Sequence, residues 1–157
     1  MDWFVALAPL LALILILIFG FTGCGIDREG TGRPIEVNVR FFPTDDPAAP
    51  TQRVTVHLVP VDDPSGSLTS ADFPPTPEPP VTGPDGSRSQ RILFVGREGV
   101  GGSVTCSVFD DGTRIIESEG AVARIPPIPD GQKAVVEFTA SSGATRWDPP
   151  TVMLMAV

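Results

Sequence analysis

Beyond residue 26 the chain never sustains the i, i+3, i+4, i+7 apolar stripe of a helix. Prolines and glycines, 18 and 16 of them in 157 residues, interrupt it too often. A period of two takes the place of that stripe. Ile35, Val37, Val39 and Phe41 alternate with Glu36, Asn38 and Arg40, the pattern of a strand with one buried face and one wet face. Val54, Val56 and Leu58 alternate with Arg53, Thr55 and His57; Val104, Cys106 and Val108 alternate with Thr105 and Ser107. Ala134, Val136 and Phe138 repeat the pattern against Lys133, Val135 and Glu137. Arg91 to Val95 reads as a strand covered on both faces, and Asp111-Gly112 as a hairpin turn leading into a strand over Thr113 to Ser118. Ala121 to Ile125 and Thr151 to Val157 complete a set of about eight short strands. The expected fold of residues 34–157 is therefore all-β: an antiparallel β-sandwich of immunoglobulin-like or related Greek-key form.

Two stretches stand apart from this pattern. Pro64 to Arg88 carries PPTPEPP and the turn Pro84-Asp85-Gly86, and reads as a long mobile loop of polyproline-like conformation. Gly96 to Ser103 (GREGVGGS) lacks the Gly-Lys-Ser/Thr ending of a phosphate-binding loop and a following helix, so a hairpin loop is expected there. The segment Val104 to Val108 (VTCSV) resembles the second strand of an immunoglobulin domain; the resemblance stops at that strand, since no partner cysteine follows in the matching place.

The run from Trp3 to Ile26 carries no charge, and its apolar heart is WFVALAPLLALILILIFGF. As a helix its first nineteen residues would span about 28 Å, close to the hydrocarbon thickness of about 30 Å. Its large apolar side chains together favour insertion by about 4 to 8 kcal/mol, with no charge to oppose it. Two forms of attachment follow. Phe21-Thr22-Gly23-Cys24 resembles the lipobox of bacterial lipoproteins, which implies cleavage and lipidation at Cys24. The alternative is an uncleaved transmembrane anchor, suggested by an amino-terminal MDW without Lys or Arg and by an apolar region longer than a signal peptide needs. Residues 27–33 then form a short tether. Arg28, Arg33 and Arg40 follow the span, and counted alone they would keep the domain in the cytoplasm; Asp27 and Glu29 lie among them.

The formal net charge is −8, which argues against nucleic acid as a partner. Cysteine usage is sparse: Cys106 is expected to pack as a small hydrophobe, with a Cys24–Cys106 disulfide as the alternative in an oxidising compartment, awkward with Cys24 at the membrane boundary. His57 is the only histidine and faces outward by alternation, Ser103 lies at a strand start instead of a nucleophile elbow, and no zinc-ligand spacing occurs. No cofactor is expected. Acidic pairs are the one recurring polar motif: Asp45-Asp46, Asp62-Asp63 and Asp110-Asp111 sit at strand ends and offer the oxygen donors that calcium takes. Ordinary turn chemistry of Asp before Pro or Gly explains them equally. The first two pairs are expected at opposite ends of the fold, where they could not share an ion.

The functional expectation is a non-catalytic module held at a membrane on its extracytoplasmic side, with a protein partner in the cell envelope. A subunit of a larger assembly, pairing through the apolar strand Val152 to Val157, is a second reading. A hydrolase working with carboxylates alone is a third.

Overall fold

Period-two alternation becomes strand wherever it was read. The computed structural model describes residues 32–61, 63–116 and 121–157. The apolar segment Trp3 to Ile26, the lipidation candidate Cys24, Asp62 and the end of the strand read through Ser118 lie outside them. Among the described residues no helix is long and apolar enough to cross a membrane.

Residues from Arg33 onward form a compact unit of their own, nearly all β. In chain order its strands are β1 (Arg33–Phe41), β2 (Gln52–Val61), β3 (Thr76–Pro77), β4 (Val81–Thr82), β5 (Arg88–Gly96) and β6 (Gly101–Asp110). They continue as β7 (Thr113–Ile116), β8 (Ala123–Ile125), β9 (Gln132–Thr139) and β10 (Thr151–Ala156). One sheet runs β10-β9-β1-β5-β3, with β4 also paired to β5. The other runs β2-β6-β7, with β8 also paired to β6. Each sheet thus has an edge made of two short pieces laid end to end along one long strand: β3 and β4 on β5, β7 and β8 on β6. Every ladder is antiparallel except β1 with β9, which is parallel with Val37 opposite Val136.

One hydrophobic cluster takes side chains from both sheets. Val37, Val39, Phe41, Val136 and Phe138 enter it from the first sheet, Val56, Leu58, Val104, Cys106 and Val108 from the second. Trp147, in the connection between β9 and β10, joins the two. Its ring meets Phe138 edge-on at 5.8 Å, while its indole N–H donates to the Cys106 carbonyl at 2.8 Å. A buried Trp N–H needs such a partner.

Several sequence readings change here. β5 is not covered on both faces: Ile92 and Phe94 are buried, but Val95 is 64 % exposed. The strand alternates like the others, and its outward apolar residues hid the period. The stretch Gly96 to Ser103 is not a hairpin loop, because β5 and β6 belong to different sheets and the turn between them crosses from one to the other. Its glycines answer to packing. A Cβ on Gly101 would stand 2.8 Å from the Ile125 carbonyl oxygen, and one on Gly102 would stand 2.5 Å from the Leu58 side chain. The Asp111-Gly112 turn between β6 and β7 keeps its expected hairpin, with φ of 47° and 85°.

Nor is Pro64 to Arg88 a loop without a ladder. Phe73 is buried in the core, and β3 and β4 hydrogen-bond along the edge of β5. Between them the Glu78 N–H donates to the Arg91 carbonyl at 2.8 Å, and the Gln90 side-chain amide donates to the Glu78 carbonyl at 2.9 Å. Prolines at the edge cost no ladder bond that faces solvent, so a Pro-rich segment can strap a sheet where it could not sit inside one.

Candidate functional site

The acids proposed as calcium donors divide between the two ends of β2. Asp45 and Asp46 precede its start, where Gln52 lies opposite Asp110 in the β2–β6 register. Asp63 follows its far end, about 30 Å of strand away. At the first end Asp45 is already saturated. Its Oδ2 accepts the N–H groups of Thr51 and Gln52 at 2.9 Å each, and Arg88 donates to Oδ1 at 3.0 Å. Burial works to raise the Asp45 pKa, but the Gln52 N–H, the Arg88 guanidinium and the Thr51 N–H outweigh it and hold the carboxyl below its ordinary value. Asp46 accepts the Ala48 N–H at 2.9 Å, Asp110 accepts the Thr51 hydroxyl, and the Asp111 N–H donates to the Thr51 carbonyl.

At the other end Asp63 caps its own turn. It takes the Leu68 N–H at 2.9 Å and the Ser65 N–H at 3.0 Å, and these bonds, the Leu68 one foremost, lower its pKa. Both arrangements are side chain-to-backbone closures of the kind Asp makes in turns. Among the described residues no three His, Cys, Asp or Glu side chains gather in a way that could hold a metal ion. Calcium at millimolar concentration is expected to leave the melting temperature of the chain unchanged. A rise that tracks added calcium would restore these acids as ligands.

The outward face of the larger sheet carries a linked set of charged side chains. Lys133 on β9 donates to Glu36 on β1 at 3.0 Å, and Arg91 on β5 approaches the same carboxylate at 3.9 Å. Arg91 also grips Glu78 with two bonds, Nε to Oε2 at 2.9 Å and Nη2 to Oε1 at 2.8 Å. The result is a chain of alternating charge, Lys133–Glu36–Arg91–Glu78, laid across β9, β1, β5 and the Pro-rich strap. Individually such surface pairs are worth little, but a bidentate, linked set holds geometry. The Arg91 bonds lower the Glu78 pKa.

Beside this chain a shallow groove of about 280 Å³ is lined by Arg40, Glu78, Val81, Arg91, Glu137 and Thr139 among others. Arg40 is engaged as well, donating to Asp85 and to the Ser87 hydroxyl. The Ser87 hydroxyl, the Ser87 N–H and then Arg40 bring the Asp85 carboxyl down to about 2. Of the charges lining the groove, Arg40, Glu78 and Arg91 are thus held in ion pairs, while Glu137 on β9 is exposed. Sequence spacing offered no sign of it, because its walls come from four separate segments, around residues 39, 79, 90 and 138.

His57 is exposed on the smaller sheet, opposite Thr105, with no acid facing it in the register. Ser103 is half-buried opposite Val59. Cys106 is a free, fully buried thiol, and burial pushes its pKa up.

A last surface is the β10 edge. Met153, Leu154 and Met155 are 47 %, 39 % and 45 % exposed, and the strand pairs with β9 on one side only among the described residues. Comparison with protein-family models, with curated proteins and with solved structures finds no match for this chain.

Proposed function

We propose that this chain is a non-catalytic binding or structural accessory module, held at a membrane by its leading apolar segment with the β unit on the extracytoplasmic side. The observation that carries the reading is the uncharged run from Trp3 to Ile26 placed ahead of a separately compact all-β unit. A run of that length and composition favours lipid over water by several kcal/mol. In the lipoprotein form Cys24 carries the lipid; in the anchor form the run remains as a helix.

The two sheets are read as the layers of a β-sandwich, immunoglobulin-like or of a related Greek key. What supports this is a single cluster of inward side chains drawn from both sheets, with Trp147 contacting each. The non-catalytic reading is supported by the direction of the carboxyl shifts. A hydrolase with two carboxylates needs one of them raised so that it can hold a proton. Asp45, Asp63, Glu78 and Asp85 all move the other way, each held ionised by donors that serve the fold.

Protease added to intact cells that express the full chain tests the placement. Cleavage in exposed turns of the β unit, without breaking the cytoplasmic membrane, is the expected result. Complete protection until that membrane is lysed would put the unit on the other side.

A further inference from the structure

We infer that the β10 edge is a self-pairing surface, and that its occupant is β10 of a second copy of this chain. The inference goes beyond the membrane-held reading and does not depend on it. It begins with a contrast inside the molecule. Unpaired strand edges invite another strand, and proteins blunt them with short segments, prolines or charge. Three of the edges here are so blunted. β3 and β4 are two residues each and carry Pro77; β7 and β8 have four and three residues; β2 carries Arg53, His57 and Pro60. β10 has six residues in regular register with β9 and no proline or charge between Thr151 and Val157.

The direction of its backbone groups follows from one bond. The Val157 N–H donates to the Gly131 carbonyl, so the groups of Val157, and by alternation those of Met155, Met153 and Thr151, face β9. Those of Val152, Leu154 and Ala156 face away from the sheet, where no described strand meets them.

The sequence of the strand is close to a palindrome about Leu154: Val-Met-Leu-Met-Ala. A twofold axis at Leu154 sets Leu154 opposite Leu154 of the second copy, Val152 opposite Ala156, and Met153 opposite Met155. An isologous contact needs this kind of self-complementarity. The pairing would form about six main-chain hydrogen bonds, satisfying the outward N–H and C=O groups of Val152, Leu154 and Ala156 in each copy. On the outer face it brings two Met pairs together at directly opposite positions. Because the strand is uncharged, a molecule of net charge −8 brings no like charges into opposition there. Other registers serve less well. An axis at Met153 would put Pro150, which has no N–H, at an outward position opposite Ala156.

The test uses the full chain in detergent micelles, followed by sedimentation equilibrium. The parent is expected to dimerise. Met153→Lys combined with Met155→Lys places lysine opposite lysine twice and should weaken the dimer by about tenfold or more. Met153→Glu combined with Met155→Lys places Glu opposite Lys in the same register and should keep it. Both positions are about half exposed, and the one cost inside the monomer, Met155→Lys opposite Lys133 of β9, is common to both pairs of substitutions, so the comparison between them reads the dimer contact. A monomeric parent overturns the inference. So does a lysine pair that still dimerises, which would locate the contact elsewhere, or a Glu–Lys pair that does not.

Discussion

Phe138→Ala is expected to lower the stability of the β unit by about 4 kcal/mol, the range for emptying a fully buried aromatic site. Phe138 is completely enclosed, on the strand that β1 and β10 both flank, and it supplies the ring against which Trp147 rests. Its loss opens a cavity on the first sheet and also frees the indole that reaches Cys106 on the second. A domain of this size has a total stability of about 5 to 15 kcal/mol, so the loss is a large share of the whole. Thermal melting followed by circular dichroism measures the effect. Phe109→Ala is the control: Phe109 is only half-buried beneath Arg114, and its replacement should cost about 1 kcal/mol or less. Equal losses at the two positions would mean that the Phe138–Trp147 contact does not organise the core.

The second large effect belongs to Asp45. Its side chain is 3 % exposed and that of its partner Arg88 is 9 % exposed, with Arg88 also lying over the Phe41 ring. Asp45→Asn leaves a buried guanidinium without its counter-charge and weakens the acceptor for two backbone N–H groups. The expected cost is about 3 kcal/mol, near 10 °C in melting temperature. The same pair sets an acid response. Because the folded Asp45 has a pKa below the ordinary value of 3.8, its stabilisation is fully present above that pH. It is lost as pH falls through the lower, folded value. Melting temperatures taken from pH 7 down to pH 2 should drop more steeply below pH 4 for the parent than for Asp45→Asn. Parallel curves would show that Asp45 contributes nothing to the acid limb. Asp85 is also held low but is 43 % exposed, so solvent screens its share.

The strands were legible because burial on one face imposes a period of two on the residues themselves. Ile35 to Phe41 and Val104 to Val108 announce their inward side chains without help from any partner. Partition into sheets was not legible. Nothing local in Val54–Leu58 says that it pairs with β6 and leaves β1 to β5 and β9. The strap over β5 was hidden for a related reason: prolines forbid a central strand, and the bonds from Gln90 and Arg91 that tie Glu78 down come from more than ten residues ahead. The Asp45-Asp46 pair shows the same limit. Aspartate at a strand end signals a polar demand, but the partner that answers it, Arg88, lies 43 residues further on. The outer groove and the β10 palindrome differ in the same way. Only the palindrome is written in contiguous residues, and even there the outward direction of Leu154 depends on the bond from Val157 to Gly131.

The sulfur of Cys106 sits at the centre of β6, shut off from water and kept protonated by its apolar surroundings. Oxidants and alkylating reagents act on the thiolate, which exists there only when the protein breathes open. Such a residue is protected while the unit is folded, and is vulnerable before folding is complete or during an opening. Slow modification at this one atom then becomes a clock for how often the two sheets part.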